Sequence, residues 1–327
     1  MIMRKTSAKA SAPAKIILFG EHFVVYDSHA IMAAINRRIH VAVFLNKTQT
    51  INIRSNLGII GSYTDSKFNL IKGGKNTKEI LDPVYKSAID VLSERKQNLG
   101  IDINVVSEVP YGVGLGSSAA CCVATVAAVD SLFHKPDKQW VCSKAVESER
   151  LVHKDSSGGD CYISTFGGLI HYSKIKGFKT IETTRDLSLI IINTGIKHRT
   201  GDLVSSVKKF KNDNTPLFKD LSSYADNICQ DALTAINIGD EKKLGKLMNE
   251  NHTLLQQIRV SHKKHDQIAK ICFKNGALGV KPTGAGGGGS MIVLILKKDK
   301  IKLTSEIERN SYECIPVKID YDGLVVY

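Results

Sequence analysis

Apolar residues come in two rhythms along the chain. Short runs rich in isoleucine and valine predict strands at residues 15–20, 37–46, 50–54, 101–109, 187–195, 290–296, 314–320 and 323–327. Longer segments repeat their apolar positions every three or four residues. They predict helices at 79–96, 117–133, 138–153, 217–237, 240–257 and 262–275. In the stretch EKKLGKLMNENHTLLQQI, Leu244, Leu247, His252, Leu254 and Leu255 fall near one side of such a helix. The strands do not alternate strictly with the helices; they cluster at the start, middle and end. This predicts a layered α+β architecture rather than a doubly wound parallel sheet. The polar stretch from Lys174 to Asp186 has few bulky apolar residues. It is the expected link between two domains, 1–180 and 181–327.

Composition narrows the picture. The chain has 327 residues, 43% hydrophobic and 24% charged, enough for a sizeable core and typical of a soluble globular protein. The 45 Lys and Arg outnumber the 32 Asp and Glu, giving a formal net charge of +13. The basic residues are spread out, with no dense arm and no aromatic-interleaved stripe. That argues against nucleic acid as the main partner and leaves an anionic small molecule or simply a basic solvated surface. Seven cysteines without C-x-x-C spacing argue against zinc and for a reducing, cytoplasmic setting. No apolar run is long enough to span a membrane. The opening MIMRKTSAKASAPAK is basic but lacks the apolar middle of a signal peptide. It could pass weakly for a transit peptide, though it is short and runs straight into structured-looking sequence.

The candidate chemistry gathers at PYGVGLGSSAACC, residues 110–122. The pattern reads as strand, glycine turn, helix. Without a Cβ, the glycines let backbone N–H groups converge on a bulky anion, and the helix start adds partial positive charge. A serine-capped turn ahead of a buried helix is the alternative. The turn lacks the G-x-x-x-x-G-K-[ST] pattern of a P-loop and the acidic residue of a dinucleotide fold. Two more segments add to it. SAPAKIILFGEHFVVY places Lys15 before a strand and Glu21–His22 after the glycine that ends it. GVKPTGAGGGGSMIVLI holds a second glycine run, residues 284–289, expected to lie against a ligand or another loop rather than to be explained by packing.

Together, and in this order, these segments resemble the GHMP kinase family, named for galactokinase and the homoserine, mevalonate and phosphomevalonate kinases. The likeness runs from Lys15 to Ile292. It is greatest to the archaeal-type members acting on mevalonate, and ESERLVHKDSSGGDCYISTFGG agrees with it. The resemblance implies a two-domain fold with the active site in the cleft between domains. It implies ATP and mevalonate as co-substrates, with the γ-phosphoryl moving to the 5-hydroxyl, Mg²⁺ as cofactor and a homodimer as assembly. Sister kinases, including one acting on mevalonate's 3-hydroxyl, a decarboxylase of diphosphomevalonate, and an inactive regulatory protein of the same fold are the alternatives.

The resemblance also implies roles for particular residues. The triphosphate would lie on Gly112, Val113, Gly114, Leu115, Gly116, Ser117 and Ser118, with Ser107 touching the nucleotide. Ser118 and Glu149 would hold Mg²⁺, which prefers few protein oxygens plus phosphate and water. Asp160 would accept or orient the proton of the substrate hydroxyl, paired with Lys15; the neighbouring Asp155 matches no catalytic position. The preceding SSGG would keep the loop slim near the substrate. Glu21, His22 and Thr200 match substrate-side positions. The last glycine run would support the first loop and close the site. Two departures stand out. His198 and Arg199 occupy the family's arginine and serine places, which opens the choice between Arg199 and Lys197 as the carboxylate's cation. Ala14 replaces a frequent glycine, tolerable if its φ is negative.

Overall fold

The computed structural model describes residues 5–110, 112–152, 157–173, 175–183, 186–196 and 200–327. Among these residues there are two sheets. The larger has strand order β13-β1-β2-β6-β3-β4-β5, with β7 added beside β2 and β8 beside β7. Its long strands are β1 (Ser7–Phe19) and β2 (His29–Leu45). The others are β3 (Ile51–Ser55), β4 (Ile59–Thr64), β5 (Lys67–Lys72), β6 (Ile101–Ser107), β7 (Leu169–Ser173) and β8 (Gly177–Ile181). The smaller sheet has the order β10-β11-β9-β12, from β9 (Leu189–Asn193), β10 (Ala277–Thr283), β11 (Ser290–Ile295) and β12 (Glu313–Val317). The last strand, β13 (Val325–Val326), returns to pair with β1. Strands β3 and β6 are parallel, and the other pairings between described strands are antiparallel. This is the layered α+β arrangement that the clustering of strands predicts.

Four helices accompany the larger sheet: α1 (Thr77–Glu94), α2 (Ser117–Asp130), α3 (Lys138–Val152) and α4 (Gly159–Phe166). Helix α2 packs against β1, β2 and the other three helices. Its alanines and valines are buried on every side. That is why its sequence shows almost no amphipathic rhythm. The other helices are α5 (Thr200–Asp213), α6 (Thr215–Ile238), α7 (Glu241–Gln257), α8 (Lys263–Lys274) and α9 (Lys300–Arg309). Helices α7 and α8 lie on β10. In α7 the five positions predicted to share a face are all buried. No helix among the described residues is long and apolar enough to cross a membrane.

Several elements escape the hydrophobic pattern. Residues 7–14, the start read weakly as a transit-like segment, form the first half of β1. Ala8, Ala10, Ala12 and Ala14 are buried at alternate positions. Alanine is too small to stand out as apolar, but against the alanine-rich α2 it allows close approach. The polar stretch 174–186 contains β8, whose Phe178 stacks on Tyr162 and Tyr172. The crossing between sheets therefore follows Ile181. Helices α4 and α9 are short, and α5 and α9 are rich in polar residues, so no long apolar stripe marks them.

Candidate active site

The glycine turn is built by alternation. Val113 and Leu115 point into the core, while Gly112, Gly114 and Gly116 take φ values of +78°, +81° and +68°. Those angles cost an L-residue about 1 kcal/mol or more. The space beyond the glycines differs at each position. A Cβ on Gly112 would meet nothing within 4 Å. At Gly114 it would rest on the Thr283 carbonyl, and at Gly116 it would strike the Lys15 side chain, 2.7 Å from Cγ. Gly116 is also the N-cap of α2, so no side chain caps that end. Ser117 and Ser118 are the first helical residues, and the serine-capped alternative is not the one adopted. The amides of the first turn remain directed out of the helix.

Strand β1 delivers Lys15 to this turn. A bulge between Pro13 and Ala14 shifts its register against β2, setting Lys15 opposite Ala34. The Lys15 N–H donates to the Leu115 carbonyl at 2.9 Å, fixing strand to turn. Ala14 is not among the positive-φ residues, so glycine is not needed there. The methylenes of Lys15 lie over Gly116, and its Nζ stands 3.2 Å from Asp160 Oδ2. Lys15 is buried, whereas the Asp160 side chain keeps 32% of its exposure. Asp160 sits in the first turn of α4, where the helix dipole favours a carboxylate. A Cβ on Gly158 or Gly159 would meet Val146 of α3 or Met32 of β2. Protein therefore fills the space that a side chain would take at these two glycines.

Glu149 is buried on α3, which packs on α2. The Cys161 thiol donates to its Oε2 at 3.4 Å. Burial, reinforced by the Glu149 charge, pushes that thiol's pKa well up, so it stays a donor. Ser118 is half-buried at the head of α2. Hydroxyl and carboxylate are hard oxygen donors, a set that suits magnesium completed by phosphate and water. Beside the turn is a cavity of about 120 Å³. Its walls include Ile39, Leu81, Pro83 and Val105, with Ser107 and Ser118 among the polar groups. The Ser107 hydroxyl also donates to the Val109 carbonyl at 2.8 Å, closing the approach to the turn.

Glu21 and His22 follow β1. His22 has φ +64°, and its Nε2–H donates to the Ala285 carbonyl at 2.8 Å. Burial lowers its pKa, leaving the neutral ring with Nδ1 as acceptor. Glu21 is turned inward: its carboxylate is wholly buried and paired with Lys281 of β10, also wholly buried. Burial raises the Glu21 pKa and lowers that of Lys281, against their mutual attraction. The second glycine run is largely explained by protein contacts. Cβ atoms there would collide with Val260 at Gly286, Leu203 at Gly287 and Ile196 at Gly288. Gly284 faces Gly114 of the first turn. The expected contact with another loop is present, at Gly114 and Val260, but protein packing, which the sequence reading set aside, fills the space beside this run.

Thr200 opens α5, though its side chain is outside the described residues. Asp155, Lys197, His198 and Arg199 also lie outside them. Two features were missed from sequence. Lys281 stands in GVKPTGAGGGG, where one cation amid apolar and small residues was the available signal. The apolar slot joins residues as distant as Ile39 and Pro83, and no local pattern marks it.

The chain is similar to proteins already known. The profile described as GHMP kinases N terminal domain matches residues 83–168, and that described as GHMP kinases C terminal matches 232–313. The chain is 37% identical over 302 residues to the mevalonate kinase of Pyrococcus furiosus, covering 89% of this chain and 90% of that protein. It is 34% identical over 325 residues to that of Thermococcus sibiricus, covering 96% and 97%. Its fold is similar to L. major mevalonate kinase in complex with R-mevalonate. That match has a TM-score of 0.83 and 27% identity, over 99% of this chain and 100% of the other.

Proposed function

We propose a mechanism for this chain from one premise: it belongs to the GHMP kinase family. Its activity is the ATP-dependent phosphorylation of mevalonate. The triphosphate lies along the outward amides of Gly112–Ser118, with the base in the slot beside Ser107. Phosphoryl transfer needs positioning and charge stabilisation more than covalent chemistry. Asp160 Oδ2 is engaged by Lys15, so Oδ1 accepts or orients the proton of the mevalonate 5-hydroxyl. The Lys15 ammonium lowers that hydroxyl's pKa and steadies the negative charge that follows. His22 Nδ1 and Thr200 lie on the mevalonate side. Ser118 and Glu149 would hold Mg²⁺, which supplies charge neutralisation across the phosphate oxygens.

The domain division falls where β8 ends at Ile181, one residue beyond the expected 180/181, with Lys15, the first glycine turn and Asp160 before it and Thr200 and the second run after it. The partners are ATP and mevalonate, without nucleic acid or membrane; the setting is cytoplasmic and the assembly a homodimer.

One observation carries the mechanism: Lys15 spans from the glycine turn to Asp160, joining the anion-binding amides to the proton acceptor. Asp160→Asn keeps the shape and removes the base. Its kcat for ATP and mevalonate should fall by about 10²- to 10⁴-fold in a coupled assay, with an unchanged circular dichroism spectrum. Equal turnover by wild type and variant would overturn the mechanism.

A further inference from the structure

Glu21 and Lys281 form an ion pair with neither side chain exposed, between the end of β1 and β10 of the smaller sheet. Two buried charges need close partners to be tolerated. Lys281 Nζ has them: it donates to Glu21 Oε1, to the Pro282 carbonyl at 2.9 Å and to the Ile17 carbonyl at 3.4 Å. Thr283, two residues on, both accepts from the Ile17 N–H at 2.9 Å and donates to the Ile17 carbonyl at 3.1 Å. His22, next to Glu21, donates to Ala285. Ile17 is two residues beyond Lys15, and Thr283 adjoins Gly284, which faces Gly114. The pair thus lies directly behind the meeting of the two glycine turns, on the strand that carries Lys15.

We propose that Glu21 and Lys281 are positioning residues: their buried pair registers the second glycine turn and His22 against Lys15 and the first turn. Glu21 then acts through Lys281 and does not touch mevalonate. This rests on the kinase reading of the same site. It assigns the pair to the geometry of transfer and not to substrate affinity, because a shift of the turns misaligns reacting atoms that are already bound.

The test is the double variant Glu21→Gln with Lys281→Met, which keeps near-native volume and leaves no buried charge. Amide hydrogen exchange across residues 284–289, followed by mass spectrometry, should speed up relative to wild type, and this readout needs no substrate. With ATP and mevalonate, kcat should fall by about 10²-fold, as a misplacement near 1 Å would cause. Both KM values should stay within about threefold. Unchanged exchange, or unchanged kcat in the folded variant while wild type turns over, overturns the inference and leaves the kinase reading intact. A raised KM for mevalonate with unchanged kcat also overturns it, since Glu21 would then be a direct contact. Should the double variant fail to fold, Glu21→Gln alone gives the same readouts, because it removes the carboxylate partner while Lys281 keeps the Pro282 and Ile17 carbonyls.

Discussion

At the scale of the residue, His265 shows how one side chain can tie stability to pH. It occupies the third position of α8 and is fully buried. Its Nδ1 accepts from the His262 N–H at 3.1 Å, and its Nε2–H donates to the Gly288 carbonyl at 3.2 Å. Protonation would set an N–H against the His262 N–H, so the ring is held neutral. Burial lowers its pKa to about 4. The folded pKa lies below the unfolded one, near 6.5. As pH falls below about 6.5 the unfolded ring takes a proton that the folded ring refuses, and stability drops until about pH 4. The loss should approach about 3 kcal/mol. Denaturant unfolding at pH 7 and pH 4.5 should show it, and His265→Gln should flatten that part of the profile. Because His265 holds Gly288, the second glycine turn should loosen over the same range.

Among the elements, the two glycine turns look alike in sequence and differ in use. The first leaves room beyond Gly112, and the second is filled by Val260, Leu203 and Ile196. Alanine substitutions separate the possible roles. Gly112→Ala adds a methyl group where no protein atom lies, at a backbone cost of about 1 kcal/mol, so the protein should fold. Its KM for ATP should rise by about tenfold, a change worth about 1.4 kcal/mol, because phosphate needs that space. Gly116→Ala instead pushes on Lys15, and kcat should fall more than ATP affinity. Steady-state kinetics at varied ATP would distinguish the two patterns. If Gly112→Ala left KM for ATP untouched, the triphosphate would not lie on that face. The turn was legible because its glycines, serines and following alanines are neighbours in the chain. The second turn was half legible: its contact with another loop was expected, but the backbone and side-chain atoms that fill its space come from residues 196, 203 and 260, far along the chain.

For the molecule as a whole, the C-terminal segment straps the two sheets together close to the site. After β12 it crosses to the larger sheet, where the Asp320 N–H donates to the Ala34 carbonyl at 3.0 Å. Ala34 is the register partner of Lys15. Arg38 holds the strap: it pairs with Asp320 and donates to the carbonyls of Ser11 and Gly323. Its side chain is only 14% exposed, and Asp320 is buried more deeply. Arg38→Met should therefore destabilise by about 3 kcal/mol, since it leaves buried Asp320 without its cation and held only by the Asp322 and Gly323 N–H groups. Adding Asp320→Asn should restore part of that loss, and thermal melting of the single and double variants measures the coupling. If the double variant lost the sum of the singles, the pair would not be acting as a strap.

The sequence by itself determined the elements whose signals are local. These are the isoleucine- and valine-rich strands, the amphipathic α7, the glycine turn heading α2, and the places of Lys15 and Asp160 beside their motifs. It could not show that residues 7–14 extend β1, because alanine is informative only once α2 lies against it. Only tertiary structure decided what faces what. Lys15 and Asp160 are 145 positions apart, and their 3.2 Å contact exists because β1 and α4 meet beside the head of α2. The inward turn of Glu21 was settled by Lys281, 260 positions away, since a buried carboxylate goes to the cation the fold presents and chain order does not name that cation.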